Sequence, residues 1–153
     1  MVFSLTQKKL DEELFQALRA VYQFERLKVS LFELTFEEIF LLQFLRRGSP
    51  CRVGIVAEEM KIPVSTLSRA IGRLQARELV LRQPDPGDRR IILVSLSKKG
   101  EELVVSVEQH TFELITTNLA KFDTAEISAF LKAARSLPCI LATETTTEQK
   151  GQN

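Results

Sequence analysis

The side chains best suited to chemistry lie between residues 64 and 77, a segment without any acidic residue. Wound as a helix at about 100° per residue, the segment places Leu67, Ile71 and Leu74 on one face. The opposite face collects Ser65, Thr66, Arg69 and Arg73. Short side chains let a helix enter the major groove of DNA, where an arginine can bind the O6 and N7 of guanine together. The segment therefore predicts a DNA-reading helix, with Arg69 on a base and Arg73 on a phosphate.

Positive charge is concentrated in the same part of the chain. Residues 61–100 carry nine Lys and Arg against three acids, a net charge of +6, whereas the remaining residues together carry −5. Charge separated in this way indicates a surface for a polyanion on an otherwise acidic body. A solvated basic face would give the same count, so the charge supports DNA binding only beside the acid-free helix.

Two strand-like stretches, Leu79–Gln83 and Arg90–Leu96, follow this helix. The Pro- and Gly-rich segment between them excludes a helix, so the pattern predicts a hairpin wing with a long basic loop. An arginine at such a tip suits the narrow minor groove, where negative potential is concentrated. The candidate residues of the wing are Arg82, Asp88, Arg89 and Arg90. We expect Asp88 to pair with a nearby arginine and hold the loop in shape.

Apolar periodicity, capping patterns and breakers predict the other elements. A capping box begins a helix at Thr35, with Glu38 reaching back. A second capping pattern at Asp123 begins the last helix, which Pro138 ends. Helices are expected over residues 7–29, 36–47, 52–60, 64–77, 98–120 and 124–137. The order predicts a mainly α fold with a small β-hairpin wing, a winged helix-turn-helix flanked by N- and C-terminal dimerisation helices.

The long flanking helices carry apolar stripes that one small domain could not bury alone, and a homodimer would cover them. We therefore expect four parts. They are an N-terminal dimerisation helix over residues 1–34, a winged helix-turn-helix DNA-binding domain over 35–97, C-terminal dimerisation helices over 98–140 and a polar, disordered tail over 141–153.

Over residues 10–137 the sequence resembles the MarR family of winged helix-turn-helix transcription regulators. The most specific likeness is Asp-Pro-Gly-Asp-Arg-Arg at residues 85–90, followed by Val-Ser-Leu-Ser-Lys-Lys-Gly at 94–100. These resemble the family's wing, an Asp-x-Arg followed by a strand that ends in Leu-Thr/Ser and a Gly. Ser-Thr-Leu-Ser-Arg at residues 65–69, leading to Arg73 and Leu74, resembles its recognition helix.

The resemblance implies a role for particular residues. Facing the major groove would be Ser65, Thr66, Ser68 and Arg69; Arg73 would contact the DNA backbone, and Arg90, or Arg89 beside it, would enter the minor groove. Glu78 departs from the family, which often has Gly at this position. A left-handed helix cap would cost Glu roughly 1 kcal/mol, so we expect a different local helix end there.

The resemblance also implies partners and a mode of action. Family members bind double-stranded DNA as dimers, usually repress, and in many cases are released by a small phenolic or other anionic effector. Two-fold symmetry predicts a pseudo-palindromic operator with half-sites about one helical turn (~10 bp) apart.

Two sensor hypotheses remain open. Phenylalanines recur at Phe15, Phe24, Phe32, Phe36, Phe40 and Phe44, and a run at helical spacing forms core more often than a ligand pocket. Cys51 lies in a predicted loop beside arginines, surroundings that lower a thiol pKa and favour oxidant sensing. A thiol-based redox-sensing regulator acting through Cys51 is therefore an alternative. The favoured interpretation is two inert thiols, Cys51 and, after the last helix, Cys139.

Other function classes have little support. One His and two Cys offer neither a nucleophile–base pair nor a metal cluster, so we expect no enzyme, no catalytic residues, no metal and no cofactor. No apolar run approaches the roughly 18 residues of a membrane span, so we expect no membrane partner and a cytoplasmic location. A winged-helix protein-interaction module without DNA binding is the last alternative. Such modules lose the arginines that this chain keeps at Arg69, Arg73, Arg89 and Arg90.

Overall fold

A computed structural model of the chain describes residues 5–142. The helices are α1 (Gln7–Phe32), α2 (Phe36–Arg47), α3 (Val53–Glu59), α4 (Val64–Ala76), α5 (Lys98–Leu119) and α6 (Thr124–Ile140). The strands are β1 (Cys51–Arg52), β2 (Val80–Pro84) and β3 (Ile92–Leu96). Each predicted helix and both strands of the predicted hairpin are present. The tail predicted over residues 141–153 lies outside the described residues from position 143 onward.

The chain divides into two compact units within α5, after Gln109. The first unit contains the buried core. Its fully buried side chains include Leu41, Leu42, Leu45, Val56, Leu67, Ile71, Leu74, Val80, Val94, Val104 and Val107. The second unit contains α6, in which no residue is buried. Across residues 5–142, no helix combines the length and the apolar character that a membrane crossing requires.

Both predicted capping boxes are present and fix where α2 and α6 begin. In α2 the Glu38 backbone N–H donates to the Thr35 hydroxyl (3.2 Å), and the Thr35 N–H donates to the Glu38 carboxylate (2.9 Å). In α6 Asp123 and Glu126 exchange the same two bonds at 2.9 Å each. These bonds satisfy N–H groups that the first turn of a helix leaves without an intrahelical partner.

The wing belongs to a three-stranded antiparallel sheet with strand order β1-β3-β2. β2 and β3 pair as predicted, with Val80 opposite Leu96 and Arg82 opposite Val94. β1 adds Cys51 on the other side of Val94, so the loop predicted around Cys51 is wrong. A two-residue strand is too short to show an alternating pattern, and its partner is far along the chain. For these reasons β1 has no sequence signature.

The end of α4 keeps the left-handed turn although Glu78 occupies it, with a φ of 62°. The Glu78 N–H donates to the Gln75 carbonyl and the Leu79 N–H to the Leu74 carbonyl, both at 2.9 Å. These are the paired bonds of a Schellman motif, so the different helix end that we expected is wrong. Burial of Leu74 and Leu79 on either side of the turn holds a conformation that costs a residue with a Cβ about 1 kcal/mol or more.

The same turn fixes how α5 begins. The Ser97 hydroxyl donates to the Glu78 carbonyl (2.6 Å) and accepts from the Gly100 N–H (2.9 Å), while the Ser97 N–H donates to the Leu79 carbonyl (3.1 Å). A Cβ added at Gly100 would overlap the Leu79 carbonyl oxygen. The first turn of α5 therefore packs so closely against the backbone before β2 that only glycine fits.

α6 continues through Pro138 to Ile140, so its predicted end near Leu137 is wrong. Cys139 accordingly lies within the helix rather than after it. Proline lacks the N–H that would bond to the carbonyl four residues earlier, which removes one bond of the ladder. The Leu141 N–H still donates to the Leu137 carbonyl at 2.9 Å, so the last turn stays closed around the proline.

Candidate nucleic-acid interface

α4 is anchored through one face and exposes the other. Leu67, Ile71 and Leu74 are completely buried, as the predicted helical face requires. The outer side chains are Ser65, Thr66, Arg69 and Arg73, which are exposed, and Ser68, which is partly buried. The structure therefore brings the predicted recognition residues together on a helix whose orientation is fixed by the core.

Arg69 and Arg73 differ in what holds them. Arg69 is exposed and has no ion-pair partner among residues 5–142. The Nε of Arg73 donates to Oε1 of Glu38 at 2.6 Å. The Glu38 side chain is 6% exposed, and its other oxygen accepts the capping bond from Thr35. Because the Arg73 side chain is 54% exposed, it holds the buried carboxylate and still faces solvent.

A second arginine links α4 to the same place. Nη1 of Arg77 donates to the carbonyl of Glu33 at 2.7 Å, and Glu33 is the C-cap of α1. The C-terminal half of α4 is thus tied to the α1–α2 junction both through Glu33 and through Glu38. Sequence reasoning missed both links. The available signal was Glu38 itself, since a capping box uses only one of its two carboxylate oxygens.

Two aspartates shape the loop of the wing. Asp85 accepts from the Gly87 N–H at 2.8 Å and pairs with Nη2 of Arg52 at 3.6 Å. Asp88 accepts from the backbone N–H of Arg90 at 3.0 Å. The expected pairing of Asp88 with an arginine side chain is therefore not what the structure shows. The ion pair belongs to Asp85, because β1 brings Arg52 to that side of the sheet.

The cations of the wing remain available to a ligand. Arg82, Arg89 and Arg90 are all exposed, and none has an ion-pair partner among residues 5–142. The bond from the Arg90 N–H to Asp88 fixes the backbone from which the Arg90 side chain extends. The wing therefore presents free guanidinium groups on a backbone that internal hydrogen bonds hold in shape.

An apolar groove of about 550 Å³ lies between α1 and the start of α2. Leu18, Val21, Tyr22 and Phe36 line it, and Arg26 supplies a cation. The backbone of the α2 capping box forms part of the wall, since Thr35 and Glu37 also line the groove. The groove therefore adjoins the junction to which Arg73 and Arg77 are tied.

The phenylalanine run does not form the core that its spacing predicts. Phe15, Phe36 and Phe40 are exposed, so the prediction is wrong for these three, and the remaining members, Phe24, Phe32 and Phe44, are only partly buried. Helical spacing shows that side chains share a face, but it does not show what covers that face.

The surroundings of Cys51 oppose the redox hypothesis. Burial raises the pKa of the Cys51 thiol, whereas an oxidant sensor needs a lowered pKa. The thiol also donates a hydrogen bond to the Gly48 carbonyl. Although arginines lie nearby in the sequence, burial is the cause of the shift, so the interpretation of Cys51 as an inert thiol is favoured.

The flanking helices expose the apolar stripes that the sequence shows. In α1, Leu10, Leu14, Leu18 and Val21 are exposed, Leu18 by 66%, and the buried residue of this helix is Lys28. In α6, Phe130, Leu131, Leu137 and Ile140 are exposed. Soluble proteins rarely leave such contiguous apolar faces uncovered, so each helix presents a surface suited to protein contact.

Together, a short helix α3, a following helix α4 with a polar and cationic outer face, and a paired wing with arginines at its tip define a winged helix-turn-helix. Within residues 5–142 no group of three His, Cys, Asp or Glu side chains could hold a metal ion.

Comparison with known proteins agrees with this class. The model of the MarR family matches residues 32–91. The HTH-type transcriptional regulator YxaD of Bacillus subtilis is 37% identical over 90 residues, which are 59% of this chain and 63% of YxaD. The HTH-type transcriptional repressor NicR of Pseudomonas putida is 28% identical over 105 residues, 69% of this chain and 66% of NicR. Both matches span slightly less than two thirds of the relative.

The fold also matches solved structures. FabT of Streptococcus pneumoniae, in a crystal structure with DNA, superposes with a TM-score of 0.74 at 18% identity, covering 89% of this chain and 97% of FabT. The chain belongs to the MarR family, and so to a family of transcription regulators with a DNA-binding winged-helix fold. The prediction that it is not an enzyme is confirmed by this membership.

Proposed function

We propose that the chain is a homodimeric repressor that binds a pseudo-palindromic operator in double-stranded cytoplasmic DNA. The observation that carries this proposal is α4. Its apolar face is buried in the core, and its outer face presents Ser65, Thr66 and Arg69 without any acid. A helix fixed in this way can lie in the major groove without paying to order itself on binding.

In this proposal the residues of α4 divide the contacts with DNA. Arg69, which has no ion-pair partner among residues 5–142, binds guanine in the major groove, while the hydroxyls of Ser65, Thr66 and Ser68 bond bases or phosphates. Arg73 contacts a phosphate through its Nη atoms, because its Nε is held by Glu38. Substitution of Arg73 would then affect both DNA binding and folding, whereas substitution of Arg69 would affect binding alone.

The wing supplies the contacts in the adjacent minor groove. Arg90 enters the groove and Arg89 lies beside it, since arginine is favoured where the minor groove is narrow. Asp88 supports this contact through its bond to the Arg90 backbone. Residues 35–97 thus form the DNA-binding domain of the proposal.

Dimerisation helices over residues 1–34 and 98–140 cover one another's apolar stripes across a two-fold axis. The exposed stripes of α1 and of α6 support this part of the proposal. A dimer presents two copies of α4, so half-sites about one helical turn (~10 bp) apart are expected.

A small phenolic or other anionic effector releases the DNA in this proposal. The apolar groove between α1 and α2 supports it, because Arg26 offers a counter-charge beside Tyr22 and Phe36. The groove also adjoins the junction that holds α4 through Arg73 and Arg77. Repression is supported by the relative NicR, a transcriptional repressor. Benzoate is a suitable probe, and Arg26→Ala should weaken any release that benzoate causes.

The test is a fluorescence-anisotropy titration of the purified protein with the DNA upstream of its own gene. The titration uses two salt concentrations and sheared competitor DNA. We expect two chains per duplex, resistance to competitor and a steep fall of affinity with salt. Arg69→Ala should weaken binding about tenfold to a hundredfold, as loss of one bidentate base contact does. The matched control is Arg19→Ala, an exposed arginine of α1.

A negative result has a defined follow-up, namely selection from fragments of the whole genome. If the folded protein prefers none of these fragments to random DNA, DNA recognition is wrong. A winged-helix protein-interaction module would then be the better interpretation.

A further inference from the structure

A cleft of about 280 Å³ opens between α4 and the wing. Val64 and Ser68 line it from α4, and Arg82 and Arg90 line it from the hairpin. Gly54 at the start of α3 completes the lining with a residue that has no side chain. The cleft is thus lined by cations and a hydroxyl, the groups that bind phosphate oxygens in protein–DNA complexes.

Strand register places Arg82 toward this cleft rather than toward the tip of the wing. Arg82 lies opposite Val94 in the β2–β3 ladder, and directly paired residues project from the same face of a sheet. Val94 is completely buried, so this is the face that packs on the helices. Arg82 is nevertheless exposed, which leaves its guanidinium at the rim of that face.

The nearby carboxylate does not neutralise Arg82. Asp85 lies three residues further along the chain, just after β2, an odd spacing that puts it on the opposite face of the sheet. There it pairs with Arg52 at 3.6 Å, and Arg52 lies opposite Leu93 rather than Val94. Arg82 itself has no ion-pair partner among residues 5–142. Its charge is therefore free for an external anion.

The geometry of DNA identifies that anion. In a duplex one sugar-phosphate strand separates each major groove from the adjacent minor groove. If α4 occupies the major groove and the tip of the wing occupies the minor groove, that strand must cross the cleft between them. A phosphodiester in the cleft would meet the guanidinium of Arg82 and the hydroxyl of Ser68.

We infer that the cleft binds the phosphodiester between the two grooves and that Arg82 is its principal ligand. This inference rests on the proposed function and refines it. Arg82 then positions the protein on the backbone without reading a base, in contrast to Arg89 and Arg90 at the tip. A phosphate contact of this kind contributes affinity uniformly across sequences.

The test replaces single phosphates of the bound duplex by uncharged methylphosphonates, one position at a time. Wild type should lose about tenfold in affinity at one phosphate per half-site, between the segments covered by α4 and by the wing. Arg82→Ala should be insensitive at that phosphate alone. Its salt dependence, the slope of log affinity against log salt, should be shallower by about 1 for each phosphate that residue 82 no longer binds. Arg82→Lys should retain part of the affinity, because it keeps the charge.

Controls separate this contact from other causes. Arg19→Ala should respond to every methylphosphonate as wild type does, and circular dichroism melting checks that Arg82→Ala folds. If Arg82→Ala keeps the wild-type response at every phosphate, the inference is wrong. It is also wrong if Arg82→Ala alters the preference for A·T pairs in the minor groove, because Arg82 would then read bases. Failure of wild type to bind any duplex would instead overturn the proposed function, and the inference with it.

Discussion

The winged-helix body and the helices that flank it bury their apolar side chains in different ways. In the body, residues 35–97, Leu67, Ile71 and Val94 are completely buried within a single chain. In α1 the buried residue is Lys28, and α6 has none, although both helices are rich in leucine and phenylalanine. The body therefore completes its own core, whereas the flanking helices carry apolar surface that one chain does not cover.

The contrast separates two kinds of stability. Burial within the chain contributes roughly 25 cal/mol per Å² of apolar surface whatever the protein concentration. Burial between chains contributes only when a second copy is present. The predictions below test each region for the kind of stability assigned to it.

The largest effect is expected in the body, from Gly100→Ala. A Cβ at this position would overlap the Leu79 carbonyl oxygen, and overpacking against backbone cannot be relieved by a rotamer change. We expect the free energy of unfolding to fall by about 3 kcal/mol or more, measured by urea denaturation.

The matched control is Gly72→Ala, since a Cβ at Gly72 meets no atom within 4 Å. Gly72 lies inside α4, so alanine should raise stability by about 0.5–1 kcal/mol. Equal effects of the two substitutions would contradict the close approach of α5 to the body.

The next effect is expected in the flanking helices, from the double substitution Leu14→Asp and Leu18→Asp. Both leucines are exposed on the α1 stripe, so the body should keep its fold while the dimer dissociates. Sedimentation should show monomers at micromolar concentration. Operator affinity should fall about tenfold or more, because the two half-sites are then bound independently.

Arg19→Asp is the control for that pair, since Arg19 lies about 100° around the helix from Leu18 and away from the stripe. It should stay dimeric. A double variant that remained a dimer of wild-type affinity would show that the α1 stripe is not the interface.

A smaller effect, of opposite sign, is expected from Glu78→Gly in the body. Glu78 holds a φ of 62°, which glycine adopts without strain. Replacement should raise the free energy of unfolding by about 1 kcal/mol, less a small loss from the exposed pair with Lys99 at 3.4 Å. Urea denaturation measures the change, and a loss of stability would contradict the strain assigned to this turn.

The smallest effect compares one cysteine from each region by its reaction with a disulfide reagent. Cys51 is partly buried in the body and Cys139 is exposed in α6. Burial raises the pKa of Cys51, so less thiolate is present at neutral pH and labelling should be slower there than at Cys139. The Cys51 rate should keep rising as the pH increases past the ordinary thiol pKa. Faster labelling of Cys51 at neutral pH would revive the redox alternative.

Much of the fold and of the candidate interface could be predicted because the signals are local. The face of α4 that carries Leu67 and Ile71 follows from helical periodicity. The starts of α2 and α6 follow from capping residues three positions apart, and the hairpin follows from its Pro- and Gly-rich loop. Each pattern depends on neighbours within one or two turns, where the geometry of the chain is nearly fixed.

The sequence by itself thus determined the order of the elements and which side chains of α4 share its outer face. The tertiary structure alone decided that Arg73 holds Glu38, that Arg52 rather than another arginine pairs within the wing, and that Glu78 keeps a glycine-like turn. It also decided that three of the phenylalanines stay exposed and that the Cys51 pKa rises. Each of these depends on contacts between residues far apart in the chain or on what covers a face, and no local pattern encodes either.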